Sequence, residues 1–164
     1  MIGKAERCVA VALLALGWAA PASAQAQGHD HHGGHGATAA TLSPAQGPSP
    51  SPTGAEVYFH YPIDGIRVPQ RFTVQFGLRN MGIAPAGVVK TMTGHHHLLV
   101  DVDKLDLNQP IPSDYNHIHL GNGQTEVVLT LTPGTHTLQL LMGDHAHIPH
   151  APPVMSKKIT IYVR

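Results

Sequence analysis

Three short stretches hold most of the side chains that could do chemistry. They are TGHHHLLVD at 93–101, NHIHLGNGQ at 116–124 and GDHAHIPHAPP at 143–153, and they contain eight of the chain's 14 histidines. Neutral imidazole is a good ligand for Cu(II), Zn(II) and Ni(II), and copper generally binds most tightly of the divalent series. One spacing recurs, because His95 and His97, His117 and His119, and His145 and His147 each stand two residues apart. On extended backbone such a pair points to one face, so two rings can approach one ion. The candidate ligands are therefore His95, His97, His117, His119, His145, His147 and His150. Copper is the expected metal, with zinc and nickel as alternatives. His96 is expected to point the other way, with Leu98 and Val100. Asp144 and Asp101 are candidates to orient ring N–H groups. Met81, Met92 and Met142 offer thioethers, but Met142 continues the apolar face of Leu138 and Leu140 and belongs to the core.

Other chemistries find little support. There is no H-E-x-x-H, no Ser/His/Asp arrangement and no paired carboxylates. Glu126 and Asp144 are the only acidic groups expected near the histidines. A metal held by three histidines with an open position activates water, so a metal-dependent enzyme stays open as an alternative. So does a non-enzymatic envelope interaction module whose histidines serve structure.

Residues 1–24 read as a secretory signal: Lys4 and Arg7, then CVAVALLALGWAA, then the small-residue cleavage site ASA at 22–24. A secreted or periplasmic location follows, with no membrane span after signal removal. The single cysteine, Cys8, lies inside this segment without a convincing lipoprotein box. The mature chain then has no disulfide, no thiolate ligand and no blue-copper centre. Without Lys4, Glu6 and Arg7 it carries eight basic and nine acidic residues. That balance gives no reason to expect nucleic acid as a partner. A second small-x-small site, AQA at 24–26, would expose Gln27-Gly28-His29. A free amine, two amides and a third-position imidazole make a square-planar set for Cu(II) or Ni(II), with His31, His32 and His35 behind it as a relay.

Residues 25–55 are rich in Gly, Pro and Ser and read as a disordered linker. Residues 56–164 are expected to be the folded unit. RFTVQFGLR at 71–79 alternates apolar and polar residues, as does KKITIYV at 157–163. TEVVLTLT at 125–132 and THTLQLLM at 135–142 flank Pro133-Gly134 and are expected to pair as a hairpin. HHLLVDV at 96–102 and EVYFHY at 56–61 complete six strands, a seventh is expected within 103–120, and no amphipathic helix is visible. This pattern predicts an all-β, antiparallel immunoglobulin-like β-sandwich of six to seven strands. In GTHTL at 134–138, His136 stands where such a fold has a corner tyrosine, so its ring is expected to bond back to backbone.

Strand direction then predicts where the histidines go. In the immunoglobulin arrangement the connection before 96–102 and the connection after 135–142 lie at one end. The start of 125–132 lies at that end too. The three clusters are therefore expected to meet, with His60 and His136 at the opposite end.

MGIAPAGV at 81–88, TGHHHLLVD, GNGQTE at 121–126 and the long run 133–159 together resemble the bacterial domain-of-unknown-function family 4399. The resemblance covers about residues 56–164. It implies a secreted or periplasmic sandwich domain and supplies no reaction or ligand. The histidines at 29–35 lie outside it.

Overall fold

A computed structural model describes residues 47–164. The expected leader, the tail histidines and the first part of the expected linker lie outside the described residues. The strands are β1 (Glu56–Tyr61), β2 (Arg67–Val68), β3 (Arg71–Arg79), β4 (Gly82–Ile83), β5 (Thr93–Val100), β6 (His117–Leu120), β7 (Glu126–Thr130), β8 (Gly134–Gly143) and β9 (Ile159–Val163). The six strands expected from alternation are all present, and β6 is the seventh. β2 and β4 are two-residue additions too short for any periodicity to reveal. Among the described residues no helix is long and apolar enough to cross a membrane.

The strands form two sheets. One has the order β1-β3-β7; the other runs β2-β9-β8-β5-β4, with β6 also paired to β5. The longer pairings are antiparallel, but β2 joins β9 and β4 joins β5 in parallel, so the second sheet is mixed rather than purely antiparallel. The expected hairpin across Pro133-Gly134 does not form. β7 pairs with β3, whereas β8 pairs with β5 and β9, so this connection crosses between sheets. A turn signal marks a reversal of the chain; it does not specify which strand becomes the hydrogen-bonding neighbour.

The alternating residues meet between the sheets. Phe72, Val74 and Phe76 of β3 and Leu129 of β7 share one core with Leu98 and Val100 of β5, Leu138, Leu140 and Met142 of β8, and Ile161 and Val163 of β9. Met142 is fully buried there, as its place on the Leu138–Leu140 face implied. The outer face of the second sheet is covered as well. Leu99, Leu141 and Ile111 form a smaller cluster there, with Val102, Leu105 and Leu107 of the β5–β6 connection packed on it. β5 is thus buried on both faces, and every residue from Gly94 to Val100 is buried.

His136 behaves as a corner residue. One ring nitrogen lies 3.0 Å from the Thr132 carbonyl oxygen and the other 2.7 Å from Asp101. Asp101 also accepts from the Thr137 amide at 2.7 Å, closing the end of β8 opposite the histidine clusters. Burial opposes charge on His136, but the Asp101 carboxylate and the Thr132 carbonyl outweigh it and raise its pKa.

The end of the linker is tied to the domain. Ser51 donates to the Ala151 carbonyl at 3.2 Å, Ala151 donates to the Ser49 carbonyl at 3.0 Å, and Ala55 packs on the core. Each such hydrogen bond contributes ~0.5–1.5 kcal/mol net. A chain starting at Glu56 is therefore expected to melt below one starting at Gly47, by roughly 4–8 °C for each kcal/mol lost. Equal midpoints in paired thermal melts would show that the strap at 47–55 adds nothing.

Candidate metal centre

The centre is built on the antiparallel register of β5. His95 and His97 share the outer face of the second sheet, and the ladder sets His97 opposite His119 of β6 on one side and opposite Leu141 of β8 on the other. β6 obeys the same alternation: Ile118 and Leu120 turn toward the core, so His117 and His119 face outward. His147 arrives from the loop after β8. The ring centroids of His95, His97, His119 and His147 lie 4.8 to 6.0 Å apart in every pairing. The three sequence clusters therefore meet, each contributing at least one ring. They meet on the outer face of a sheet, beneath the loop after β8, rather than among loop tips.

Within this group, one ring nitrogen from each of His95, His97 and His119 lies within 4.8 Å of the others. The Nε2 atoms of His95 and His97 are 3.0 Å apart. At metal–nitrogen distances of ~2.0–2.1 Å, neighbouring ligand nitrogens sit about 3.4 Å apart around a tetrahedral ion and about 2.9 Å apart in a square plane. The pair already has that spacing, so its lone pairs can either share a proton or share a cation.

The environment keeps these rings neutral. His95 is pushed down to about 4, chiefly by burial and then by His119 and His147. His97 is pushed down to about 2, again by burial first and then by His95, His119 and His147. His119 is lowered for the same two reasons, burial and His147. Neutral imidazole is the ligand form, so the crowding that repels protons leaves lone pairs available for a metal. His95 Nδ1, His97 Nδ1 and His119 Nε2 have no hydrogen-bond partner.

The other candidate residues are placed differently. His150 is 2 % exposed, and its ring lies between the Met142 and Thr93 carbonyl oxygens at 3.4 and 3.2 Å, to one of which a single ring N–H can donate. His117 faces outward beside the group, but its Nδ1 pairs with Asp114 at 2.8 Å. His145 lines a small cleft of about 130 Å³ with Ser49, Lys90 and Met92. Met92 is 61 % exposed. His60 is exposed on β1 and makes an edge contact with Tyr58. Glu126 stands on β7 in the other sheet and accepts from Gln75. Asp101 is engaged by His136 and Thr137, and Asp144 by backbone amides and Ser49, so neither carboxylate orients a ring of the group.

Two glycines are needed that spacing arguments did not single out. A Cβ on Gly143 would stand 2.9 Å from His97 Nε2, and one on Gly121 would overlap the His119 ring. Both positions therefore hold open the space the rings occupy. MGIAPAGV also gains a role. The Ala86 amide donates to Gly121 at 2.8 Å and the Gly87 amide to His145 at 3.0 Å, so this segment bridges the β6–β7 turn and the loop after β8.

The molecule is a two-sheet, all-β protein whose crowded imidazoles on one sheet face could hold a metal ion. The sequence places it more narrowly. A family model, the domain of unknown function DUF4399, matches residues 74–164, and the chain belongs to that family. The match spans every residue of the histidine group. No curated protein and no solved structure matches the chain.

His96 faces the opposite side of β5, 4.7 Å from the Phe76 ring, and neither of its nitrogens has a partner. Its pKa falls to about 4, mainly through burial; the Gln124 backbone pulls the other way but is not placed to complete a hydrogen bond. The metal-free protein should respond to acid accordingly. An unfolded chain takes up protons on its histidines near pH 6.5. The fold resists protonating His95 and His96 until about pH 4, and His97 until about pH 2. Between those values the unfolded state binds more protons, so stability falls as pH falls from 6.5 toward 4. We expect a clearly lower urea midpoint at pH 5 than at pH 7.5, and a smaller difference in His96→Leu, which should also gain ~1–3 kcal/mol at neutral pH by removing two unpaired buried nitrogens. A midpoint that does not move with pH would contradict this.

Proposed function

We propose that this protein binds a transition-metal ion at His95, His97 and His119, with His147 as the fourth ligand. The observation that carries the proposal is the convergence of three ligating nitrogens within 4.8 Å on two paired strands, with a fourth ring beside them. The donor set is all neutral nitrogen, without thiolate or carboxylate. Such a set suits Cu(II), Zn(II) and Ni(II), and the usual affinity order favours copper. His117, His145 and His150 fall outside the ligand set in this reading, because the ring nitrogens that gather within 4.8 Å belong to His95, His97 and His119, His145 lines a separate cleft and the His150 ring lies between two backbone carbonyls.

The setting we infer is the periplasm or the cell exterior. It rests on the leader-like residues 1–24 and on a mature chain without cysteine. The immunoglobulin-like description is likewise our reading. It is supported by the sheet orders β1-β3-β7 and β9-β8-β5, which correspond to strands A-B-E and G-F-C of that fold.

The deciding experiment is elemental analysis of the exported protein, followed by Cu(II) and Zn(II) titration of the metal-free form. Histidine-rich tracts can chelate metal on their own, so His29, His31, His32 and His35 are first replaced by Ala. We expect one equivalent of tightly bound ion. His97→Ala combined with His147→Ala should lose more than the ~10–100-fold that removal of an outer-shell partner costs. His60→Ala combined with His136→Ala should bind metal as the parent does. Equal losses in the two double variants would mean non-specific chelation.

A further inference from the structure

Three of the four rings are placed by strands. The fourth is not: His147 lies in the loop after β8, beyond the reach of the ladder. Its backbone has a φ of 66°, in the left-handed region that residues with a side chain adopt only under constraint. The constraint is visible. Asp144 Oδ1 accepts from the amides on both sides of His147, Ala146 at 2.9 Å and Ile148 at 3.0 Å. The His147 amide donates to the Asp144 carbonyl at 2.9 Å, and its own carbonyl accepts from Ile111 at 2.8 Å. The second carboxylate oxygen is held from outside the loop, by the Ser49 hydroxyl at 2.8 Å and the Ser49 amide at 3.3 Å. Asp144 is 2 % exposed, and all four of these hydrogen bonds come from backbone amides or the Ser49 hydroxyl.

We propose that Asp144 is a positioning residue for the metal centre: its carboxylate fixes the loop conformation that presents His147, and Ser49 in the strap ahead of β1 completes the clasp. The inference rests on the metal-binding reading above. Asp144 acts through backbone and not through a ligand ring, which separates it from the usual carboxylate that orients a coordinating imidazole. It also extends the centre's support beyond the loop itself, since the segment that enters the domain at Ser49 holds one of the two carboxylate oxygens.

The test uses the full chain with the four tail histidines replaced by Ala, titrated with Cu(II) against a competing chelator. Asp144→Asn keeps the side chain's size but turns a donor toward groups that themselves donate. We expect affinity to fall ~10–100-fold, the range for loss of a supporting partner. We expect His147→Ala to fall at least as far, and the double variant to be no weaker than His147→Ala alone. Nitrogen hyperfine structure in the Cu(II) spectrum should change from four ligands in the parent to three in Asp144→Asn, a readout that a general loss of stability does not move. Ser49→Ala removes a single hydrogen bond and should shift affinity the same way by a smaller factor; it carries the test if Asp144→Asn does not fold. Parent-like affinity in Asp144→Asn or, where that variant does not fold, in Ser49→Ala overturns the inference, as do additive losses in the double variant or four nitrogens retained. If the parent binds no Cu(II), the metal reading fails and this inference with it. If the parent binds and His97→Ala abolishes binding while Asp144 and Ser49 have no influence, only this inference fails.

Discussion

The histidine end of this protein depends on one constraint: β5 lies between β8 and β6 with both of its faces covered. Three consecutive imidazoles on a strand must alternate. Two of them, His95 and His97, emerge on one face, and the third, His96, goes into the core against Phe76. A one-residue slip of this strand would exchange those roles, sending one ring outward and two into hydrocarbon. Apolar pairings hold the register in place. Leu98 faces Leu140, and Val100 faces Leu138, both fully buried on the core side.

Burying these rings is costly. An unpaired buried polar nitrogen costs on the order of 1–3 kcal/mol, and five ring nitrogens here have no partner. Whole domains are stable by only about 5–15 kcal/mol. A fold carrying that penalty has the rest of its interior arranged to bear it. The second sheet packs apolar side chains on both faces, Asp144 gathers four hydrogen bonds to hold the covering loop, and Gly121 and Gly143 leave the rings their space. The histidine group is thus integral to the architecture.

Much of this was legible in the residues. The strands expected at 71–79 and 56–61 match β3 and β1 to the residue, and alternation marks the first because it has one face in the core and one in solvent. The meeting of three clusters followed from strand direction alone. The route to it was partly different, however. His119 reaches His97 because β6 pairs with β5, a four-residue strand too short to announce itself, and the chain between β7 and β8 passes from one sheet to the other where a hairpin was expected. Which histidines join the group could not be read from spacing. His145 and His147 share the two-residue spacing of a strand, but their backbone is a turn, so only His147 comes in. His150 looks like a ligand in the sequence, and in the fold its ring lies between two backbone carbonyls. Asp144 was legible as a carboxylate near imidazoles, but that its hydrogen bonds would go to amides depends on a left-handed residue that no pattern marks.

The two ends of β8 carry histidines of opposite character. At its start, His136 sits between a carboxylate and a carbonyl and holds a proton more readily than free imidazole. Beyond its end, the rings around His97 refuse one. Acidification therefore acts with opposite sign along a single strand. The His136 corner gains stability as pH falls from its raised pKa to 6.5 and has the full gain below that, while the crowded end begins at 6.5 to lose ground to an unfolded chain that is free to take up protons. One long strand thus joins a corner that favours the protonated ring to a cluster that disfavours it, and the acid sensitivity of the fold is concentrated at the cluster.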